Sequence, residues 1–349
     1  MSNIQKCYQC GLCTGICPMR MVSKMSPRDT IYNNNIYDTP TADVWQCLTC
    51  ELCSSQCPQG VSFSDFALEE RAGKTLADIP HEGVFSSVSD LMSMLDAGKV
   101  TFMQGAEKST YGYFPGCLDF HNLFFGLEDV DFTEIAESSM KLLKHAGIDP
   151  MVMQMKCCGH DQLWQGNKEL FDRLAEYNTR YIEESGISTL IVSCAECYRT
   201  LTKDYDLNVD VKHISELLGD AKFDVKSDAA AATVTYHDAC RLGRHCGVYD
   251  APRESLASAG MDIVEMAHSK EDARCCGVSS LMNCNEVTKA LRVTRMNEAD
   301  DTGASAMVTS CPKCLAHFNC LKKDESTDYN FEVVDLSVLL ARQLNGSQK

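Results

Sequence analysis

Cys157-Cys158-Gly159 and, after 35 residues from the pair, Cys194-Ala-Glu-Cys197 form the stretch that decides how this chain is read. The pattern returns as Cys275-Cys276-Gly277 and, with 34 residues between, Cys311-Pro-Lys-Cys314. Each copy has a fifth cysteine upstream. There are 39 residues between Cys117 and the first pair, and 34 between Cys240 and the second. Five thiols gathered from three distant points are a ligand set for a metal cluster, and two such sets imply two clusters.

The segments between these cysteines alternate strand and helix patterns. In the first copy, 111–114 reads as a short strand leading to Cys117. Asp131 caps a helix, with Glu134 completing a capping box. Its face is Ile135, Met140, Leu142 and Leu143, and Gly147 ends it. Residues 151–155 read as a strand before Cys157. A long amphipathic helix over 168–185 stops at Gly186, and the strand 189–193 delivers Cys194. The second copy matches. Strand 233–236 precedes Cys240, a helix ends at Gly260, and 262–266 is a strand. A helix from about 285 stops at Gly303, and strand 306–310 precedes Cys311. The repeat offset is about 117 residues. Residues 335–344 read as a last helix. Strands alternating with helices imply a parallel sheet in each half. The cysteines fall just past strand ends, where open α/β sheets place ligands. Each CxxC also opens a helix, whose N-terminal amides favour anionic sulfur.

Ahead of this repeat lies a second cysteine pattern. Cys7, Cys10, Cys13 and Cys17-Pro18 are followed by Cys47, Cys50, Cys53 and Cys57-Pro58. This is the spacing that holds [4Fe–4S] cubanes, the fourth cysteine of each run ligating the other cluster. One cube is assigned to Cys7, Cys10, Cys13 and Cys57. The other is assigned to Cys47, Cys50, Cys53 and Cys17. Zinc ribbons use two well-separated pairs and do not match three close ligands plus one. The 29 residues between Cys17 and Cys47, with a helix start at Ser26-Pro27, favour a helical type of two-cluster ferredoxin domain. A helix over 61–72 closes it. The expected fold is therefore α+β and multidomain. It comprises a two-cluster helical ferredoxin-like domain at 1–80, a connector at 81–110 with a short helix near 84–95, and two α/β repeats at 111–226 and 227–349, related by a pseudo-two-fold axis that sets their sites face to face.

Composition narrows the function. The chain has 349 residues, 44% of them hydrophobic, with 32 basic and 49 acidic residues giving a formal net charge of -17. No basic run exists to neutralise phosphates, which argues against a nucleic-acid partner. No apolar run approaches the length of a membrane span, and Met1 to Cys7 carries no secretory segment. The 21 cysteines are read as metal ligands in a cytoplasmic protein, with attachment to the inner face of a membrane only through a partner subunit.

The paired CCG arrays resemble those of the heterodisulfide reductase family. The eight-cysteine segment is similar to that enzyme's small electron-transfer subunit, here fused ahead of the catalytic one. The resemblance implies two noncubane [4Fe–4S] clusters. One would be held by Cys117, Cys157, Cys158, Cys194 and Cys197, the other by Cys240, Cys275, Cys276, Cys311 and Cys314. It further implies reduction of a mixed disulfide, of the coenzyme M–coenzyme B type, split between these clusters with electrons from the two cubanes. Anionic substrate halves call for cations. The candidates flanking the ligands are His160, His237, Arg241 and Arg244, with Lys156, Arg199 and His245 also nearby; each has a structural reading as a surface or satisfied residue. His237 is a candidate to orient the site or donate a proton. Cys246, Cys284 and Cys320 receive no role, and Trp45 and Trp164 read as packing residues. No G-x-G-x-x-G and no C-x-x-C-H occurs, so electrons come from a partner carrying flavin, a membrane cytochrome or a soluble ferredoxin. The alternative reading is an electron-transfer subunit of a quinone- or organic-acid-linked oxidoreductase, including a thiol:fumarate reductase.

Overall fold

A computed structural model describes residues 2–37, 42–74, 84–95, 101, 103–125, 130–219, 221, 223, 232–278, 285–324 and 328–344. Cys284 and residues 81–83, 96–100 and 102 of the expected connector lie outside these residues.

The first 74 residues fold as short helices and loops, with no strand among the described residues. They are α1 (Leu12–Ile16), α2 (Pro18–Val22), α3 (Pro27–Tyr37), α4 (Leu52–Ser55) and α5 (Phe63–Arg71). Prolines open α2 and α3, where the missing N–H would have had no partner anyway. Ser62 caps α5 by accepting from Asp65 N, and Phe63, Phe66 and Ala67 turn inward. In the connector, α6 (Val84–Met94) buries Val88 and Met92 against Leu170 and Leu174.

Two four-stranded sheets follow. The first contains β1 (Tyr111–Phe114), β2 (Met151–Val152), β3 (Thr189–Val192) and β4 (Asp210–His213), in the order β2-β1-β3-β4. The second contains β5 (Thr233–His237), β6 (Asp262–Ile263), β7 (Ala306–Thr309) and β8 (Glu332–Asp335), in the order β6-β5-β7-β8. Every pairing is parallel, as the strand–helix alternation requires. The first half carries α7 (Leu118–Phe125), α8 (Phe132–His145), α9 (His160–Trp164), α10 (Lys168–Ser185) and α11 (Ala195–Lys203). The second carries α12 (Asp250–Ser258), α13 (Glu286–Asp300), α14 (Pro312–Lys322) and α15 (Leu336–Leu344).

Three details depart from the sequence reading. The expected five-residue strands after Gly147 and Gly260 pair over only two residues each, because the chain leaves the sheet to carry the CC pair to its place. The fourth strands β4 and β8 were not anticipated. The cap of α8 is not a capping box: the Asp131 carboxylate takes Thr133 N at 2.9 Å and Asn122 Nδ2 at 2.6 Å.

The repeat is exact at one buried pair. Tyr113 Oη meets Ser193 Oγ at 3.0 Å in the first half, and Tyr236 Oη meets Ser310 Oγ at 3.0 Å in the second. The halves also pack reciprocally. The helix α8 of one lies on α15 of the other, while α12 lies on the turn Ile214–Leu217 that follows β4. Ala195 N donates to Ser310 O at 3.1 Å, so the segments leading into the two CxxC motifs touch. No helix among the described residues is long and apolar enough to cross a membrane.

Candidate metal centres

The two ferredoxin-type loops share an uncommon backbone. Gln9 (φ 64°) and Gly11 (φ 84°) flank Cys10, and Thr49 (φ 48°) and Glu51 (φ 62°) flank Cys50. Three of these four are not glycine, so each loop holds a left-handed conformation at a cost. The result is a chain curled round its own sulfurs. Cys7, Cys10, Cys13 and Cys57 line one cavity together with Cys53. Cys17, Cys47, Cys50 and Cys53 line the next. Burial pushes the Cys17 thiol up to about 12 and the Cys53 thiol well above its ordinary value. Thiols packed this way suit deprotonation by iron rather than by water.

The five cysteines of each later array also converge. In the first, Cys197 Sγ lies 3.6 Å from Cys158 Sγ. Cys117 is within electrostatic reach of Cys194 and Cys158. Ser89 Oγ stands 3.3 Å from Cys157 Sγ, and His121 Nε2 stands 3.4 Å from Cys117 Sγ. In the second, Cys314 Sγ lies 3.2 Å from Cys276 Sγ, and the neighbouring Cys240 and Cys276 thiols hold the Cys275 thiol well above its ordinary value. Burial drives the Cys276 thiol up, but the neighbouring Cys275 and Cys314 thiols and the nearby His237 and His317 rings outweigh it and hold the group well below its ordinary value. Cys194 and Cys311 cap the CxxC helices α11 and α14. The glycines of the CCG motifs have φ near 80° at Gly159 and 81° at Gly277, a turn that folds two adjacent thiols back over a helix.

The second array also touches the ferredoxin-like domain. Cys275 lies beside Cys50, and its thiol draws the Cys50 thiol down to about 5. Arginines fasten this junction. Arg244 Nε donates to Cys50 O at 2.6 Å. Arg241 Nη1 donates to Thr49 O at 2.7 Å and its Nη2 to Thr49 Oγ1 at 2.6 Å. His245 lies 3.2 Å from Glu51. Arg71, fully buried, donates to Cys47 O at 2.9 Å and Trp164 O at 3.3 Å. Trp164 is sandwiched, with Arg199 4.9 Å and Arg241 4.4 Å from its ring centre.

The cations singled out from sequence thus go to different places. Arg241, Arg244 and His245 hold the Cys47–Glu51 loop. Lys156 reaches Ser93 O and lies over Tyr177. Arg199 pairs with Asp204. His160 is buried, 2.9 Å from Thr200 Oγ1 and 3.6 Å from Glu196. His237 is the candidate that faces cysteine sulfur: one of its ring nitrogens lies within 4.8 Å of Cys276 and Cys314. Of the cysteines given no role, Cys320 is exposed and Cys246 is half-buried near Thr202.

Between the arrays lies a buried ion cluster that the sequence reading missed. Lys313 sits 2.9 Å from Glu196 and also pairs with Asp161. Burial alone would depress the Lys313 ammonium, but the two carboxylates raise it. Burial lifts Glu196 to about 7 against the pull of Lys313. The signal was present: the middle residues of the two CxxC motifs carry opposite charges, Glu196 and Lys313.

Comparison with known proteins agrees with this geometry. The cysteine-rich domain model, CCG, matches residues 111–202 and 234–319. The chain belongs to the CCG cysteine-rich family. A 4Fe-4S dicluster domain matches residues 6–62. One of the subunits of the dihydromethanophenazine:CoB–CoM heterodisulfide reductase of Methanosarcina acetivorans is 28% identical over 99% of this chain and 95% of its own length. One of the subunits of the fumarate reductase (CoM/CoB) of Methanothermobacter marburgensis is 27% identical over 90% of this chain and 67% of its own. The EtfAB:quinone oxidoreductase of Syntrophomonas wolfei is 25% identical over 87% and 47%. A crystal structure of a hypothetical protein from Helicobacter pylori has a TM-score of 0.58 at 11% identity, covering 93% of this chain and 68% of that one, which is a likeness of fold. The chain is an iron–sulfur oxidoreductase subunit of the heterodisulfide reductase type.

Proposed function

We propose that this CCG-family protein reduces a disulfide, of the coenzyme M–coenzyme B kind, to two thiols. When bound, two cubane [4Fe–4S] clusters would deliver single electrons and two noncubane clusters would take one sulfur each, so that neither half leaves as a free radical. Cys7, Cys10, Cys13 and Cys57 would hold one cubane, and Cys17, Cys47, Cys50 and Cys53 the other. Each five-cysteine array would hold a noncubane cluster. The observation that carries the reading is two complete, converging five-thiol sets whose CxxC segments meet at Ala195 and Ser310.

Reciprocal packing of α8 on α15 and of α12 on the turn after β4 supports a pseudo-two-fold relation that turns the arrays toward each other. The Cys50–Cys275 contact supports entry of electrons into the second array. Arg241 and Arg244 hold the Cys47–Glu51 loop against it, and Arg71 ties the same loop to Trp164 of the first half. His160 and His237 remain the candidates to steady substrate anions. The electrons would come from a partner carrying flavin, a cytochrome or a ferredoxin, and the subunit-type relatives support such a partner.

The test is anaerobic: fully loaded protein, reduced viologen dye and the coenzyme M–coenzyme B disulfide. Thiol release at two electrons per disulfide is expected. Dye oxidation with a quinone but not with any disulfide would favour the electron-transfer role of the quinone-linked relative instead.

A further inference from the structure

The two arrays match in plan but not in electrostatic setting. Tyr113 and Tyr236 are equivalent by their shared bonds to Ser193 and Ser310. The next residue is Phe114 in the first half and His237 in the second. A phenyl ring at this position can donate nothing and an imidazole can, although the first array has sulfur contacts elsewhere, from Ser89 to Cys157 and from His121 to Cys117. His237 is 1% exposed, and its Nδ1 accepts from Arg295 Nε at 3.0 Å. A guanidinium only donates, so the proton of the neutral ring sits on Nε2. That N–H has no partner of ordinary geometry among the described residues, while Cys276 and Cys314 lie beside the ring. Arg295 is itself fully buried, fixed by Glu298 at 2.6 Å and His268 O at 2.7 Å.

Charge follows the same division. Arg244 lies by Cys50, Cys240 and Cys275, and its buried Nη2 has no partner among the described residues. Asp161 and Glu196 lie between the arrays against the one ammonium of Lys313: Asp161 and Lys313 act on Cys117 of the first array, and Glu196 acts on Cys311 of the second.

We propose that Arg295, acting through His237, and Arg244 make the centre on Cys240, Cys275, Cys276, Cys311 and Cys314 easier to reduce than its twin. The inference rests on the reading that both arrays hold clusters. The physical reason is that hydrogen bonds to ligand sulfur and nearby positive charge both favour the reduced, more negative state of an iron–sulfur centre. Arg295 is a positioning residue: it fixes which ring nitrogen carries the proton. One electron enters the second array from the adjoining Cys50 side, and no bond is made or broken in that step. The electron itself originates with the external donor.

The experiment is a redox titration of the anaerobic holoprotein, followed by EPR and Mössbauer spectroscopy, with Cys276→Ala identifying the signal of the second array. The wild type should show two five-thiol centres with different midpoints, the second higher. His237→Phe should lower that midpoint alone, changing its reduced-to-oxidised ratio about tenfold at fixed potential, which is ~59 mV for one electron. Arg295→Met, away from the ligands, should move the same signal the same way by less. His237→Gln, which keeps an N–H donor, should recover most of the shift. Equal midpoints in the wild type, or variants that leave both midpoints in place, would overturn the inference with the cluster reading intact. A wild type lacking two five-thiol centres would overturn both.

Discussion

Replacing Gly277 by alanine tests how the CCG turn is built. Gly277 has φ +81°, and a Cβ there would lie 2.8 Å from Leu291 Cβ and 3.1 Å from Thr288 O. Both obstacles belong to α13 and cannot swing aside as a side-chain tip would. The left-handed backbone costs an L residue about 1–2 kcal/mol. Overpacking against a fixed helix adds about 1–3 kcal/mol. The sum is about 2–5 kcal/mol. Gly303 provides the control: its φ is +67°, but a Cβ would meet nothing within 4 Å, so only the backbone cost applies. Gly159 should fall between, because its obstacle at 2.8 Å is the Phe171 ring, which can tilt. Hydrogen exchange of the anaerobic protein reads the local opening free energy of α13. Gly277→Ala should raise opening there at least about fivefold more than Gly303→Ala does. Equal exchange in the two variants would refute the idea that close approach, and not φ alone, demands the third letter of the motif.

Three further outcomes follow from the buried charges. Lys313→Met leaves Asp161 and Glu196 buried without their cation and should cost about 3–5 kcal/mol, measured by denaturation, whereas the triple change with Asp161→Asn and Glu196→Gln should recover much of it. Burial raises Asp335 to about 7 from an ordinary 3.8, so the folded state holds a proton that the unfolded state has released. Stability should therefore be highest below about pH 4 as far as this group is concerned and fall as pH rises to about 7, and Asp335→Asn should flatten that slope in pH-dependent melting. Arg71→Met removes charged donors from Cys47 O and Trp164 O and should loosen the ferredoxin-like domain from the first CCG half; unchanged protease resistance at residues 42–74 would contradict this.

Much of this architecture was readable in the chain. Cysteine spacing marked which thiols the fold gathers, because such a set recurs at fixed offsets from the strands that deliver it. Gly147, Gly186, Gly260 and Gly303 marked helix ends, all with φ between 67° and 78°. The edge strands β4 and β8 were not legible: Asp210-Val-Lys-His213 is four residues with polar ends and no long apolar run to announce it. The destinations of the cations were not legible either. Arg241 and Arg244 stand beside Cys240 in sequence, which made them substrate candidates, yet each reaches about 190 residues back to the Cys47–Glu51 loop. Long side chains reach across domain interfaces that no local pattern encodes. Lys313 and Glu196 fall between: their opposite charges at matching positions are visible in the chain but were missed as a pair, because only the folded chain brings them together.

The most direct test is iron and sulfide analysis with Mössbauer spectroscopy on protein purified without oxygen, beside Cys157→Ala and Cys276→Ala. Four four-iron centres require about 16 irons per chain, with each variant losing one centre from its own array and keeping both cubanes. About 8 irons in the wild type, or zinc in either array, would contradict twin five-thiol iron centres and leave only an ordinary two-cubane relay.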